Sequence, residues 1–282
     1  MQRILLYLQL MRFDRPIGIY LLLYPTLWAV WLAANLQPSI KIIVIFILGV
    51  VIMRAAGCVI NDIADRHFDP HVERTKNRPL ASKRITLTEA IILFIVLMLI
   101  ALLLLLQLNR YAVYIGIIAA ILSMLYPFAK RMTHLPQLLL SLTFKIGILI
   151  AFAAQLNQLP SLAWLLYLTA ILWMIGYDTM YALTDRNDDI KLGLKSTAIL
   201  FGKQVKNVIL GFQLSFLVGL IAIGRQANLH WVYWFSLIIV IMLCIYQQYL
   251  MRKYGDQSGF NAFHNNHWVG LVVFIGILLG NV

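Results

Sequence analysis

Charge is scarce in this sequence, and negative charge is scarcest. Only 12% of the 282 residues are charged and only 11 are Asp or Glu, against 62% hydrophobic residues and a mean hydropathy of +0.84. Soluble domains carry about 25% charged and about 45–50% apolar residues. This chain lacks the polar surface that would keep it dispersed in water, which excludes a soluble class and leaves a membrane one. Cysteine is almost missing as well: Cys58 and Cys244 fall in apolar runs on different predicted helices. They read as free core thiols, with no CxxC pair or disulfide framework available. No basic stretch stands on a soluble domain of its own, so the net charge of +12 does not mark a nucleic-acid binder. The segment 1–16 lacks a signal peptide's order of basic, apolar and small-residue regions. Arg3, Arg12 and Arg15 alternate there with Leu, Met and Phe, which predicts a short amphipathic helix at the membrane interface.

What is present in quantity is long apolar runs. A spanning helix needs roughly 20 mainly apolar residues. Nine segments meet that need, near 17–36, 40–61, 89–107, 111–129, 136–155, 161–182, 205–223, 231–250 and 265–281. Lipid offers the backbone no partners, so helices are expected, and nothing alternates as a barrel strand would. The predicted fold is an all-α membrane protein, nine transmembrane helices in one bundle around a central cavity. One domain covers 1–282, with two weakly repeated halves of about 1–130 and 131–282. Eighteen lysines and arginines fall on one side of the alternating spans. Only Lys41, Arg110 and Arg225 fall on the other, and Arg54 and Lys145 lie within spans. That bias predicts a cytoplasmic N-terminus and a C-terminus on the opposite side.

All eleven acids lie on or close to the basic-rich side, and eight make two clusters, at 62–73 and 178–189. These sit at the C-terminal ends of the second and sixth spans, one in each half. Asn61, Asp65 and Asp69 are spaced i, i+4, i+8, which stacks them along one helix face. Pro70 is expected to end that helix near Asp69. Asp185 and Asp189 repeat the i, i+4 pairing. Carboxylates so arranged repel one another unless a cation lies between them. Magnesium suits such sites, since it is usually held by one or two carboxylates plus substrate phosphates. The negative ends of two helix dipoles favour a cation there, and the arginines and lysines of the same loops suit a diphosphate. The plainer alternative, acids that merely neutralise basic loops, does not account for the same spacing arising twice.

The run NDIADRHFD at 61–69 matches the NDxxDxxxD signature of the UbiA superfamily, and DRNDD at 185–189 supplies its DxxxD signature. The chain thereby resembles the UbiA-type intramembrane prenyltransferases. Its flanks resemble their ubiquinone-pathway branch: DRPIG at 14–18, MRAAGCVIND at 53–62, RTKNRPL at 74–80, YPFAKR at 126–131, YDTMYALTD at 177–185 and GLKSTAILFG at 193–202. The resemblance implies a magnesium-dependent enzyme of the cell inner membrane. It would move a polyprenyl group from polyprenyl diphosphate to the carbon ortho to the hydroxyl of 4-hydroxybenzoate. It implies that Asn61, Asp65, Asp69, Asp185 and Asp189 hold two magnesium ions, the four aspartates being catalytic. Asp62 and Asp188 would steady those ligands or alternate with them. Tyr126 and Lys130 match the family's YxxxK element near the diphosphate, and Arg66, Arg131 and Lys195 are expected to join them. Loops 62–88 and 184–204 are expected to cap a cytoplasmic mouth, with the bilayer as the one partner besides the substrates.

Arg54 precedes Asn61 by seven residues, which returns it to the same helix face about 10 Å deeper. An arginine within a span is a functional candidate by default, and its expected role is to receive the acceptor's carboxylate. The alternative is that it satisfies backbone carbonyls or pairs with an acid. Lys145 interrupts the fifth span where the resembled enzymes carry a small or apolar residue, and it receives no role. His264 and His267 have ligand-like spacing but no neighbouring acid or cysteine, so they read as packing residues. Other acceptors (homogentisate, dihydroxynaphthoate) remain open. An organic-anion or cation transporter is disfavoured, because the acids gather at one face and transporter sites lie at the midplane.

Overall fold

A computed structural model describes residues 2–71, 75–129, 133, 135–191, 193 and 195–280, with side chains except those of Gln2, Phe128, Ala129, Asn187, Asp188, Asp189 and Lys191. Every regular element among the described residues is helical. In chain order these are α1 (Gln2–Leu10), α2 (Ile17–Ala33), α3 (Ile40–Asp65), α4 (Leu87–Leu105), α5 (Arg110–Ala129), α6 (Pro136–Phe144), α7 (Gly147–Leu156), α8 (Ser161–Lys191), α9 (Thr197–Leu200), α10 (Val205–Gln226), α11 (Trp231–Tyr254) and α12 (Gly259–Leu279). Among the described residues eight helices are long and apolar enough to cross a membrane, counting α6 and α7 as one interrupted span, and α2 is a shorter apolar helix of 17 residues. The protein is an integral membrane protein.

Local chemistry explains the ends. Ser39 accepts a hydrogen bond from the Ile42 amide at the start of α3. Thr86 and Glu89 form a reciprocal capping box on α4. Glu89 also receives the Tyr7 hydroxyl at 3.0 Å and pairs with Arg3, so one carboxylate both caps α4 and fastens α1. The α1 residues Ile4, Leu5 and Leu8 stay exposed while Leu10 is fully buried against α3 and α4, the amphipathic pattern expected of this segment.

Burial separates the spans. The α8 span is 67% buried and α4 only 11%, so α8 runs through the bundle and α4 presents its leucines and isoleucines to lipid. Around α8 the core is aromatic. Trp173, Trp28 of α2 and Phe216 of α10 form a mutual aromatic triad, with ring centroids 5.3 Å (Trp28–Trp173), 5.5 Å (Trp173–Phe216) and 6.5 Å (Trp28–Phe216) apart. Both indole N–H groups are satisfied, Trp28 by the Gly270 carbonyl and Trp173 by Asn266 of α12. Buried amides pair across helices in the same way: Gln213 of α10 donates to Gln247 of α11, and Gln248 donates to Gln213, each at 2.8 Å.

Three elements differ from expectation. The α3 helix stops at Asp65, and Asp69 begins a 3-10 turn through Pro70 to His71. Asp69 therefore leaves the helix face that Asn61 and Asp65 share, because the chain tightens four residues before the proline. The α8 helix continues past 182 through the whole DRNDD run to Lys191, where a loop was expected from 184. Finally, the fifth span is broken between Phe144 and Gly147, with Lys145 at the break.

Candidate active site

The C-terminal part of α3, the α1–α2 connection, the 75–84 loop and helices α2, α5, α6, α8 and α12 enclose a cavity of about 1050 Å³. Asn61, Asp62, Arg54, Tyr126 and Asp178 line it together with Arg12, Arg78 and Arg84. The same cavity is also lined by a mostly aromatic set, Phe144, Tyr181, Phe260, Phe263, His264 and His267. Charge and π surface thus share one chamber, and the two histidines read as packing residues are part of its lining.

The charged floor is tightly organised. Arg12, in a left-handed conformation (φ 62°), aims its Nη2 at both oxygens of Asp62, at 2.8 and 3.1 Å. Arg78 bridges Asp62 at 3.1 Å and Asp69 at 2.9 Å. Burial works against the Arg78 charge, but Asp62 and then Asp69 outweigh it and push its pKa above the ordinary guanidinium value. The Asp62 side chain is 2% exposed. A carboxylate that deep is tolerable only when paired, and removing one partner of such a set is expensive. Thr75 fastens the same loop by donating to the Asp69 carbonyl at 2.9 Å.

Asn61 donates to Asp65 at 3.1 Å, the i, i+4 contact its spacing predicts. Tyr126 of α5 lies within electrostatic reach of Asp178, Asp65 and Arg54, so α3, α5 and α8 converge there. Asp178 in turn lies within reach of Arg54 and Lys145. Among the described residues no hydrogen bond or ion pair reaches the Asp178 carboxylate. Arg54 likewise forms no ion pair among the described residues, and its guanidinium packs on the α2 backbone at Gly18. A β-carbon added at Gly18 would fall 2.5 Å from Nη2 of Arg54, so any larger residue there would displace the arginine tip.

The remaining expected residues are placed as follows. Asp65, Asp69, Asp185, Arg66 and Lys195 are not among the described residues that line the cavity. Arg66 turns back to the Ile63 carbonyl at 3.0 Å, and Lys195 is exposed. Asp185 is half-buried on α8. Lys130 and Arg131 lie outside the described residues, as do the side chains of Asp188 and Asp189. Arg12, Arg78 and Asp178 were not singled out from sequence. One signal pointed to the arginines: Asp62 falls just past the end of a predicted span, and a carboxylate that is buried there needs a cationic partner.

No group of three His, Cys, Asp or Glu among the described residues converges closely enough to cage an ion. The polar donors around Tyr126 are nevertheless oxygens of an amide and of carboxylates, the hard set that magnesium prefers. Magnesium completes its shell with water and substrate phosphate, so one or two carboxylates from each helix suffice and the residues present fit it.

Embedded helices around a chamber that joins carboxylates, guanidinium groups and aromatic rings define an intramembrane enzyme class. The chain belongs to the UbiA prenyltransferase family, whose model matches residues 22–275. It is 52% identical over 278 residues to a 4-hydroxybenzoate octaprenyltransferase of Coxiella burnetii, covering 99% of this chain and 97% of that protein. It is 50% identical over 277 residues to one of Hahella chejuensis, covering 98% and 92%. The fold matches the apo structure of a UbiA homolog from Aeropyrum pernix K1 with a TM-score of 0.81 and 25% identity, over 93% of this chain and 98% of that one. It also matches a UbiA homolog from Archaeoglobus fulgidus bound to GPP and Mg2+, with a TM-score of 0.72 and 16% identity, over 97% and 99%.

Proposed function

We propose that this chain transfers a polyprenyl group from polyprenyl diphosphate to the ring carbon ortho to the hydroxyl of 4-hydroxybenzoate, releasing diphosphate. One observation carries the reading: acids from both halves of the chain, Asp65 and Asp178, lie within reach of the same tyrosine in a chamber with a mostly aromatic wall. The relatives' names supply the substrate class, and the chamber's chemistry suits it.

Asn61, Asp65 and Asp69 from one half and Asp185 and Asp189 from the other would hold magnesium. When bound, the metal supplies positive charge to a departing diphosphate. The chain's own part is electrostatic and steric. Arg12 and Arg78, fixed by Asp62 and Asp69, present guanidinium groups to the diphosphate oxygens, with Tyr126, Lys130, Arg131, Arg66 and Lys195 as further candidates. As the allylic C–O bond loosens, its electron pair goes to the diphosphate and the allylic carbon becomes electron-poor. Tyr181, Phe260 and Phe263 form a π surface suited to facing that carbon and keeping water from it. Arg54 receives the acceptor's carboxylate and turns its ring toward the carbon. Ring π electrons form the new C–C bond there; the proton on that ring carbon then leaves to the released diphosphate or to water, and its C–H electron pair restores aromaticity.

The membrane setting belongs to the same reading. In it the chain would cross nine times, with α2 as the shortest span, and the lysine and arginine bias supports a cytoplasmic N-terminus, a C-terminus across the inner membrane and a chamber that opens to the cytoplasm. The halves 1–130 and 131–282 each contribute one acidic helix end.

The test uses membranes containing the full chain, given 4-hydroxybenzoate, a polyprenyl diphosphate and magnesium. Prenylated 4-hydroxybenzoate is expected, a chelator should abolish it, and Asp65→Ala should lower turnover about 10²–10³-fold while the protein still inserts. Full turnover in chelator or in Asp65→Ala would discard the metal assignment. Product with homogentisate or dihydroxynaphthoate alone would reassign the acceptor.

A further inference from the structure

Lys145 is a fully buried lysine that the reaction above leaves unused. It is 1% exposed, at the break between α6 and α7. Its Nζ donates to the Leu21 carbonyl at 2.9 Å and to the Tyr177 hydroxyl at 3.2 Å. The same nitrogen lies 5.3 Å from the Trp173 ring centroid and 5.5 Å from that of Tyr177. An ionisable side chain at this depth must face the bundle interior and find partners there. The Leu21 partner has a cause in sequence. Pro25 stands four residues on within α2 and has no N–H to give to that carbonyl. Lys145 supplies from another helix the donor that the proline withholds.

Both gripped residues are chain neighbours of cavity residues. Leu21 follows Tyr20, and Tyr177 precedes Asp178; Tyr20 and Asp178 both line the chamber that Arg54 lines. Gly147, two residues past Lys145, packs close to Thr26, so a β-carbon there would sit 3.2 Å from the Thr26 hydroxyl. The helix break is thereby held against α2 at two successive points. We propose that Lys145 is a positioning residue, which ties the proline-opened turn of α2 to α8 and so fixes the spacing between Tyr20 and Asp178 around the pocket of the aromatic acid. The assignment to that pocket rests on the function proposed above, whereas the clamp itself does not.

Two measurements on the purified full chain separate these parts. In thermal unfolding, Lys145→Met should melt below wild type. Adding Pro25→Ala restores an N–H to the Leu21 carbonyl, so the double variant should melt above Lys145→Met alone. Losses that simply add would overturn the clamp. In kinetics, Lys145→Met should raise the KM for 4-hydroxybenzoate about tenfold and the KM for polyprenyl diphosphate less than about twofold. Equal rises would overturn the positioning role, since a generally loosened bundle would weaken both substrates. If Lys145→Met does not fold, Tyr177→Phe removes one partner alone, and an acceptor KM raised about threefold is expected. An unchanged acceptor KM in that variant would overturn the proposal. Should wild type fail to prenylate 4-hydroxybenzoate, the function falls while the unfolding cycle still decides the clamp.

Discussion

Two aspartates face the same chamber and live in opposite circumstances. Asp62 is enclosed by Arg12 and Arg78 and shares Arg78 with Asp69. Asp178 has two cations within reach, Arg54 and Lys145, yet no hydrogen bond or ion pair from the described residues. The first carboxylate is committed to architecture, because it orients two guanidinium groups and joins the α1–α2 connection to the 75–84 loop. The second lies open toward the space where substrates would stand. Burial alone does not separate a structural acid from a chemical one; the partner list does.

Exchanging the two roles gives the largest effect. Arg78→Ala leaves Asp62 and Asp69 short of a partner and should destabilise the detergent-purified protein by about 3 kcal/mol, read as a lower melting temperature. Asp178→Asn should leave melting nearly unchanged and lower turnover about 100-fold. If Asp178→Asn melts as low as Arg78→Ala, the contrast between the two acids is lost. A middle-sized effect tests the cation beside Asp178. Arg54→Leu should raise the KM for 4-hydroxybenzoate about 30-fold and leave that for polyprenyl diphosphate alone. Parallel rises in both would return Arg54 to a structural role. The smallest effect comes from Gly18→Ala, whose new methyl meets the movable end of Arg54 rather than backbone. A rise of about threefold in acceptor KM is expected, and a rise as large as that of Arg54→Leu would mean that α2 itself had shifted.

Much of the bundle was legible because lipid dictates it: apolar runs long enough to span must be helices, and each predicted run holds a helix, the fifth as the two pieces α6 and α7. The Asn61–Asp65 contact was legible for the same local reason, since helix periodicity alone sets it. What periodicity does not carry is where a helix stops or which distant loop answers it. Asp69 left the α3 face through a 3-10 turn, α8 ran on through its acidic end, and the fifth span broke at a lysine with no proline to announce it. The Arg12–Asp62 and Arg78–Asp62 pairs join residues 50 and 16 positions apart, and only the folded chain brings them together. Arg54 was found from sequence by its cost within a span, while its seat on Gly18 required the packing of α2 against α3.

Glu89 serves two masters at once, the first turn of a span and a surface helix that reaches it from 82 and 86 positions upstream. That surface helix is also tethered a few residues later, through Arg12, to the chamber floor. On that helix Ile4, Leu5 and Leu8 stay exposed, an apolar face suited to a membrane interface. One short segment thus carries an apolar outer face and direct contacts both to the base of α4 and to the acid that aligns the arginines, so whatever covers that face bears on the geometry of the chamber.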